Sequence, residues 1–181
     1  ASLAGTVVIL ALSTFIVKLA SKIGKKELSM IGCFISAASF ILLFIIHTHN
    51  VWVWVGLIIV ATIGTSMFNM VIWAMITDVI DDSEVRTGVR QDGTIYSVYS
   101  FARKLGQACS SGLSGVLLSI IGYTSVTAFD PKVVDGIYNI TCLVPAGGMI
   151  LLLLALWFLY PLNKKRVEEN AEKLRIKRNE K

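Results

Sequence analysis

Residues 51–76 read VWVWVGLIIVATIGTSMFNMVIWAMI and contain no charged side chain. An α-helix needs about 20 apolar residues to cross the roughly 30 Å of hydrocarbon in a bilayer, and helices buried in soluble proteins are usually shorter. A helix also satisfies its own backbone hydrogen bonds, which lipid cannot do. This stretch therefore predicts a membrane-spanning helix.

Four further apolar stretches flank it. Hydrophobic residues make up 55% of the chain and charged residues only 16%, which excludes an ordinary soluble domain. We expect an all-α, polytopic membrane helical bundle of five transmembrane helices over residues 1–160, followed by a basic tail over residues 161–181. The predicted spans are residues 3–20, 28–46, 51–76, 94–121 and 137–160.

Positive charge alternates between the segments that join these spans. The first linker has four lysines, the second has no Lys or Arg, the third has Arg86 and Arg90, the fourth has Lys132, and the tail has eight Lys and Arg residues. Because cytoplasmic loops carry the excess of Lys and Arg, this pattern places the N-terminus outside and the C-terminus inside. The net charge of +5 then follows from this topology and from attraction to the anionic headgroups of the lipid bilayer, which is the expected partner. We expect no nucleic-acid binding. We expect the tail to be solvated.

The chain opens on Ala1 and runs directly into its first span. An odd number of spans that begins outside predicts at least one further helix upstream. We therefore expect a fragment whose partner is the missing N-terminal half of the same protein, and which gives no solute uptake by itself.

Residues typical of enzymes and metal sites do not form a pattern here. The three cysteines have no CxxC spacing, and His47 and His49 flank one short turn without further ligands nearby. No nucleophile elbow or mid-membrane carboxylate pair occurs. We expect no catalytic residues, no metal site, no covalently bound cofactor, and no enzyme activity.

The fourth span carries two cations, Arg103 and Lys104, about 15 Å from its start at 1.5 Å per residue. A cation at the centre of a spanning helix costs about 3 kcal/mol unless it faces a partner or a water-filled path. At 100° per residue, one arc of about 140° holds both cations and six other polar residues. These are Ser97, Ser100, Gln107, Ser110, Ser111 and Ser114. The arc indicates a transport pathway; a structural ion pair with a carboxylate on another helix is the competing interpretation.

The third span has a polar line of its own, which includes Asn69 and Trp73. Two polar faces can line one cavity, and Trp73 suits either stacking on a sugar or anchoring at the membrane interface. The line also contains Thr62, Thr65, Ser66 and Thr77.

Residues 78–93 hold five acids and two arginines, and we expect a charged loop whose first turn extends the preceding helix. Asp82 can meet Arg86 at i,i+4 if that turn persists. The basic residues Lys25 and Lys26 of the first linker offer further partners. We expect a gate of breakable ion pairs formed by Asp78, Asp81, Arg86 and Arg90.

The chain resembles the glycoside-pentoside-hexuronide:cation symporter family, the melibiose permease-like branch of the major facilitator superfamily. The resemblance covers nearly the whole chain and places its spans as helices eight to twelve of twelve, in the C-terminal six-helix half. The residues that carry it are Trp73-Ala-Met-Ile-Thr-Asp78-Val-Ile-Asp81, Arg86-Thr-Gly88-Val-Arg90, Ile95-Tyr96-Ser97 and Lys104-Leu-Gly106.

The resemblance implies sugar transport by alternating access, coupled to Na⁺, H⁺ or Li⁺ at acids on helices absent from this chain. It implies a multi-pass protein of the plasma membrane, in bacteria the inner membrane. Lys104 matches the family's charged position beside the substrate, and Trp73 matches an aromatic residue at the inner end of helix ten. Tyr99 and Ser100 match polar positions on the substrate side. With the polar faces above, the expected substrate-binding residues are Asn69, Trp73, Tyr99, Ser100, Arg103, Lys104 and Gln107.

Two alternatives remain open. Tyr99 and Arg103 differ from melibiose permease, so the sugar itself is not predicted. Arg103 and Lys104 also suit a non-sugar solute, such as a lipid or an organic anion. The last alternative is a non-transporting membrane scaffold in which these charges are structural pairs.

Overall fold

The computed structural model describes residues 15–48 and 50–179, and within them every regular element is an α-helix. Residues 15–23 are helical and lead into five helices. These are α1 (Lys25–Ile46), α2 (Val51–Thr87), α3 (Asp92–Ile120), α4 (Pro131–Phe158) and α5 (Lys164–Asn179). The predicted all-α class is confirmed.

Three of these helices, α1, α2 and α4, are long and apolar enough to cross a membrane. The predicted count of five spans is not confirmed. The first predicted span, residues 3–20, lies mostly outside the described residues. The fourth predicted span corresponds to α3, which has 29 residues. It is not among the three apolar helices because its cations, serines and glutamine make it too polar.

The helix α2 extends well beyond the predicted third span. It continues through residues 77–87, about 16 Å further at 1.5 Å per residue, so the predicted extension of one turn is too short. Gly88 ends it with a left-handed φ of 76°, and its N–H donates to the Glu84 carbonyl oxygen over 2.9 Å. Glycine adopts this conformation without the strain that a Cβ would add.

The core lies where α1 packs along both α2 and α4. The axes of α1 and α2 come close at Gly32 and Gly64, because a Cβ added to either would lie 2.5 Å from the other's carbonyl oxygen. Beside this crossing, the Ser36 and Thr65 hydroxyls share a hydrogen bond of 3.0 Å. By contrast, α3 contacts mainly α2 and has no buried residue.

The basic tail is a packed helix. Asn170 and Leu174 of α5 are 6% and 4% exposed, because they lie against the extension of α2. Most other side chains of this helix remain exposed, so the tail is a solvated helix that docks on α2 along one face. The ion pairs that join these helices define the charged end of the bundle, where α1 begins and α2 ends.

Candidate functional site

An open cavity of about 670 Å³ lies between α2 and α3. Each helix contributes polar or aromatic residues four positions apart, which places them on one face: Asn69 and Trp73 from α2, and Tyr99 and Arg103 from α3. Phe68, Ile72 and Ala102 complete the lining. Sequence reasoning missed these three because they are apolar, although each is adjacent to a polar residue that it named.

Trp73 lines the cavity and is 48% exposed. The Tyr99 ring meets it edge-on, with centroids 5.3 Å apart and planes at 73°. The guanidinium carbon of Arg103 lies 5.7 Å from the Trp73 ring centroid. Such a cation–π contact orients the guanidinium and leaves its N–H groups free to bind a ligand.

Arg103 makes no ion pair within residues 15–48 and 50–179. No carboxylate oxygen of these residues lies within 4.0 Å of its nitrogens. Among the described residues its one charge or ring contact is the Trp73 ring, so the guanidinium has no counter-ion there at the edge of the cavity.

The structure brings together four of the seven predicted substrate-binding residues. Ser100, Lys104 and Gln107 are exposed on α3 and do not line the cavity. The cause is rotational: at 100° per residue, the centre of the predicted polar arc lies about 120° around the helix from the side that carries Tyr99 and Ala102. Arg103 lies where the arc and the cavity face overlap.

The polar line of α2 divides between several roles. The Thr65 hydroxyl contacts Ser36 of α1, which makes it a packing residue. Thr62 and Thr77 donate to the carbonyl oxygens of Ile58 and Trp73 on their own helix. Only Asn69 and Trp73 of this line face the cavity.

At the charged end, Lys25 joins α1 to α2. Its Nζ lies 2.6 Å from Asp78 Oδ1 and also donates to the Ala74 carbonyl oxygen over 3.4 Å. The Asp78 side chain is only 6% exposed, and its Oδ2 has no hydrogen-bond partner among the described residues. The first linker thus supplies the basic partner that the sequence predicted.

Arg90 links the end of α2 to the start of α3. Its guanidinium reaches Asp81 at 2.8 Å, Glu84 at 3.0 Å and Asp92 at 2.8 Å. The hydrogen bonds to these carboxylates, Asp81 first, raise the pKa of Arg90 above its usual value, so it stays charged. Arg86 is also a predicted gate residue. Its side chain is 72% exposed, and its Nη1 lies as far as 3.9 Å from Asp82 Oδ2, so the contact is weak.

A second set of pairs holds α5 against α2, and sequence reasoning missed it. Asp82 accepts from Arg166 over 3.1 Å and from Asn170 over 2.8 Å, while Glu84 lies 3.4 Å from Arg178. The sequence did contain a signal for this contact, because Arg166 and Asn170 are four residues apart and so lie on one face of the helix.

At the opposite end, His47 packs on Tyr138 with ring centroids 4.5 Å apart. Its Nε2 lies 3.6 Å from Asp135 Oδ1. His49 lies outside the described residues.

Comparison with known proteins identifies the family to which the chain belongs. Residues 1–164 match the family described as MFS/sugar transport protein. The chain belongs to that family of membrane transporters, within the glycoside-pentoside-hexuronide:cation symporters of the major facilitator superfamily. The predicted resemblance is confirmed.

Several curated relatives match most of this chain. It is 33% identical to the glucuronide carrier protein homolog of Escherichia coli (strain K12) over 93% of its own length and 36% of the relative's. It is 36% identical to an uncharacterised symporter of Bacillus subtilis (strain 168), over 90% and 35%. A candidate sulfoquinovose importer of Escherichia coli (strain K12) is 31% identical over 86% and 33%. The chain therefore spans about a third of the length of the relatives it matches.

Proposed function

We propose that this chain is the C-terminal part of a secondary active transporter that imports a glycoside, pentoside or hexuronide together with a cation. The observation that carries the proposal is the exposed Trp73 ring in a cavity edged by Asn69, Tyr99 and Arg103. The names of the relatives, a glucuronide carrier homolog and a candidate sulfoquinovose importer, support a sugar as solute.

The lining chemistry suits a sugar. A pyranose has an apolar face of C–H groups, which packs on a flat aromatic ring such as Trp73, and a rim of hydroxyls. The Asn69 amide and the Tyr99 hydroxyl can each donate and accept hydrogen bonds at that rim. A mostly apolar pocket with a few placed polar groups is the usual form of a small-molecule site.

The ion pairs at the charged end support a gate. In this proposal the charged end faces the cytoplasm. Lys25–Asp78 joins α1 to α2, and Arg90 joins α2 to α3 through Asp81 and Asp92, while the solute site opens to the outside. Breaking them separates the helix ends, as alternating access requires. Asp78, Asp81 and Arg90 are the principal gating residues, with Arg86 contributing less.

Other parts of the proposal lie outside this chain. The N-terminal half supplies the second wall of the pathway and the acids that bind the coupling cation, which is Na⁺, H⁺ or Li⁺. The bilayer is the plasma membrane, in bacteria the inner membrane.

Uptake by the intact transporter in membrane vesicles tests the proposal. A panel of radiolabelled glycosides, pentosides and hexuronates is offered with and without Na⁺, Li⁺ and proton gradients. We expect gradient-dependent accumulation of at least one sugar, with a loss of at least about tenfold in Trp73→Ala, which removes the stacking face. Val98→Ala, a change on the exposed apolar side of α3, is the matched control and should leave uptake unchanged.

Two outcomes would contradict the proposal. If no sugar accumulates under any gradient while a non-sugar organic anion does, the solute class is wrong. If nothing accumulates and no solute stabilises the protein, a scaffold role is favoured.

A further inference from the structure

Arg103 is an unusual residue for a site that binds only neutral sugars. Hydroxyls are recognised well by neutral amides and hydroxyls, such as those of Asn69 and Tyr99. A guanidinium in a helix within a membrane bundle is costly to keep charged unless it meets an anion or water. The Trp73 ring offsets only part of that cost.

No carboxylate oxygen of the described residues lies within 4.0 Å of the Arg103 nitrogens, and most acids near the ends of the helices have other partners. Asp78 is paired with Lys25, Asp81 with Arg90, and Asp82 with Arg166, all at the charged end. Glu84 is held by Arg90 and Arg178. Asp130 caps α4 by accepting from the Lys132 N–H, and Asp135 lies beside His47 at the opposite end.

The position of the guanidinium also favours an anion from the solute. Its central carbon lies 5.7 Å from the centroid of the Trp73 ring, on which a sugar would pack, and both residues line one cavity. A carboxylate or sulfonate attached to a pyranose on that ring would lie within reach of the guanidinium. Arginine binds such groups through two parallel N–H donors, a geometry that a lysine cannot reproduce.

We propose that Arg103 is a specificity-determining residue that makes this site select a sugar acid, a pyranose carrying a carboxylate or sulfonate, over neutral sugars. This rests on the proposed sugar transport. Lys104, which is exposed outside the cavity, does not perform this role.

Competition against the intact wild-type transporter gives the first test, because it needs no variant. Inhibition of uptake by a hexuronate is compared with inhibition by its amide, which has nearly the same shape but no charge, and by the parent hexose. Because hydrogen bonds to a charged group are the stronger ones, we expect the hexuronate to bind at least about 30-fold more tightly than either neutral compound.

Variants give the second test. Arg103→Gln should abolish the preference by weakening hexuronate binding at least about 30-fold while leaving the amide within about threefold. Arg103→Lys keeps the charge and should retain an intermediate preference. Lys132→Gln, which removes an exposed cation outside the cavity, is the control and should keep the wild-type ratio of hexuronate binding to amide binding. Solute-induced thermal stabilisation measures binding separately from transport.

The outcomes separate this inference from the proposed function. Equal inhibition by hexuronate and amide in the wild type, or an unchanged ratio in both Arg103 variants, would overturn the role of Arg103 while sugar transport stands. Arg103→Gln could instead lower the stability of the ligand-free protein, with Arg103→Lys restoring it and the ratio of hexuronate binding to amide binding unchanged. That result would assign Arg103 to a structural pair with the remaining polypeptide. Absence of any sugar uptake would overturn the proposed function itself.

Discussion

The two residues of the Lys25–Asp78 pair differ in their access to water. The Lys25 side chain is 33% exposed, whereas that of Asp78 is 6% exposed. Removing the lysine leaves a carboxylate buried without a cation, but removing the aspartate leaves a lysine that can still reach water along its flexible stem. The pair is therefore asymmetric.

Lys25→Met should destabilise the protein more than Asp78→Asn. Because loss of one partner from a buried pair costs about 3–5 kcal/mol, we expect Lys25→Met to lower the free energy of unfolding by that amount and Asp78→Asn by clearly less. Denaturant unfolding in detergent micelles measures both. The double variant Lys25→Met with Asp78→Leu should recover much of the loss, and equal effects of the two single changes would contradict the asymmetry.

Residue identity was easier to predict than residue orientation. The lysines of the first linker and the acids after Ile76 were predicted to pair, and Lys25 does meet Asp78 at 2.6 Å. Lys104 is predicted beside the substrate; it is exposed and does not line this cavity, whereas its neighbour Arg103 does. Adjacent residues on a helix differ by 100°, and the rotation of a helix about its axis is fixed by packing that one sequence does not reveal.

At the scale of the elements, the close crossing of α1 and α2 depends on the absence of two side chains. A Cβ on Gly64 would lie 2.5 Å from the Gly32 carbonyl oxygen and 2.9 Å from the Ser36 nitrogen, both backbone atoms that cannot rotate away. Small residues at such crossings let helix backbones approach closely in membranes. The helices would have to separate to admit a methyl group.

Gly64→Ala should therefore destabilise the α1–α2 pair. Overpacking of this kind typically costs about 1–3 kcal/mol, which unfolding in micelles would register. Gly56→Ala is the control, because Gly56 lies on the same helix with no atom within 4 Å of an added Cβ. Because alanine favours a helix more than glycine does, Gly56→Ala should not destabilise the protein, and a similar loss in both variants would show that the crossing is not responsible.

The docking of α5 on α2 rests largely on Asp82, which holds Arg166 and Asn170. Asp82→Ala leaves the α5 sequence intact but removes both contacts, so α5 should detach more often. Because hydrogen bonds to a charged group contribute about 1.5–3 kcal/mol, we expect trypsin to cleave at Lys173 and Arg175 at least about tenfold faster.

The control for this measurement is Asp135→Ala, which removes an exposed acid at the opposite end of the bundle. It should leave cleavage within α5 unchanged. An unchanged rate in Asp82→Ala would mean that Leu174 and the other packing contacts hold α5 without the ion pairs.

The ends of helices were less predictable than their apolar centres. The third span was expected to end at Ile76 because charged residues begin at Asp78, but α2 continues to Thr87. Charge ends a membrane span without ending a helix, since water and ion pairs can support further turns. Gly88 was the better marker, and its positive φ is the physical reason.

At the scale of the whole molecule, α1 packs against both α2 and α4, and α3 contacts mainly α2. No residue of α3 is buried, and its serine face is as exposed as its apolar face. The fold class and family were predictable because apolar periodicity and a long combined motif are both local in sequence. The surroundings of α3 were not, since among the described residues it contacts mainly α2.

The central claim is that the cavity between α2 and α3 binds the transported sugar, and protection from alkylation tests it most directly. Cys33 and Cys142 are buried, so replacing exposed Cys109 with serine leaves a background of low reactivity. A cysteine placed by Asn69→Cys in the intact transporter then reports on the cavity, and one placed by Val89→Cys reports on the exposed linker at the charged end.

We expect the transported sugar to slow maleimide labelling of Asn69→Cys at least about fivefold at saturating solute, since a solute that is bound most of the time blocks access for that time. Labelling of Val89→Cys should not change. Equal labelling of Asn69→Cys with and without a sugar that the protein demonstrably transports would contradict the account, because the solute would then bind elsewhere.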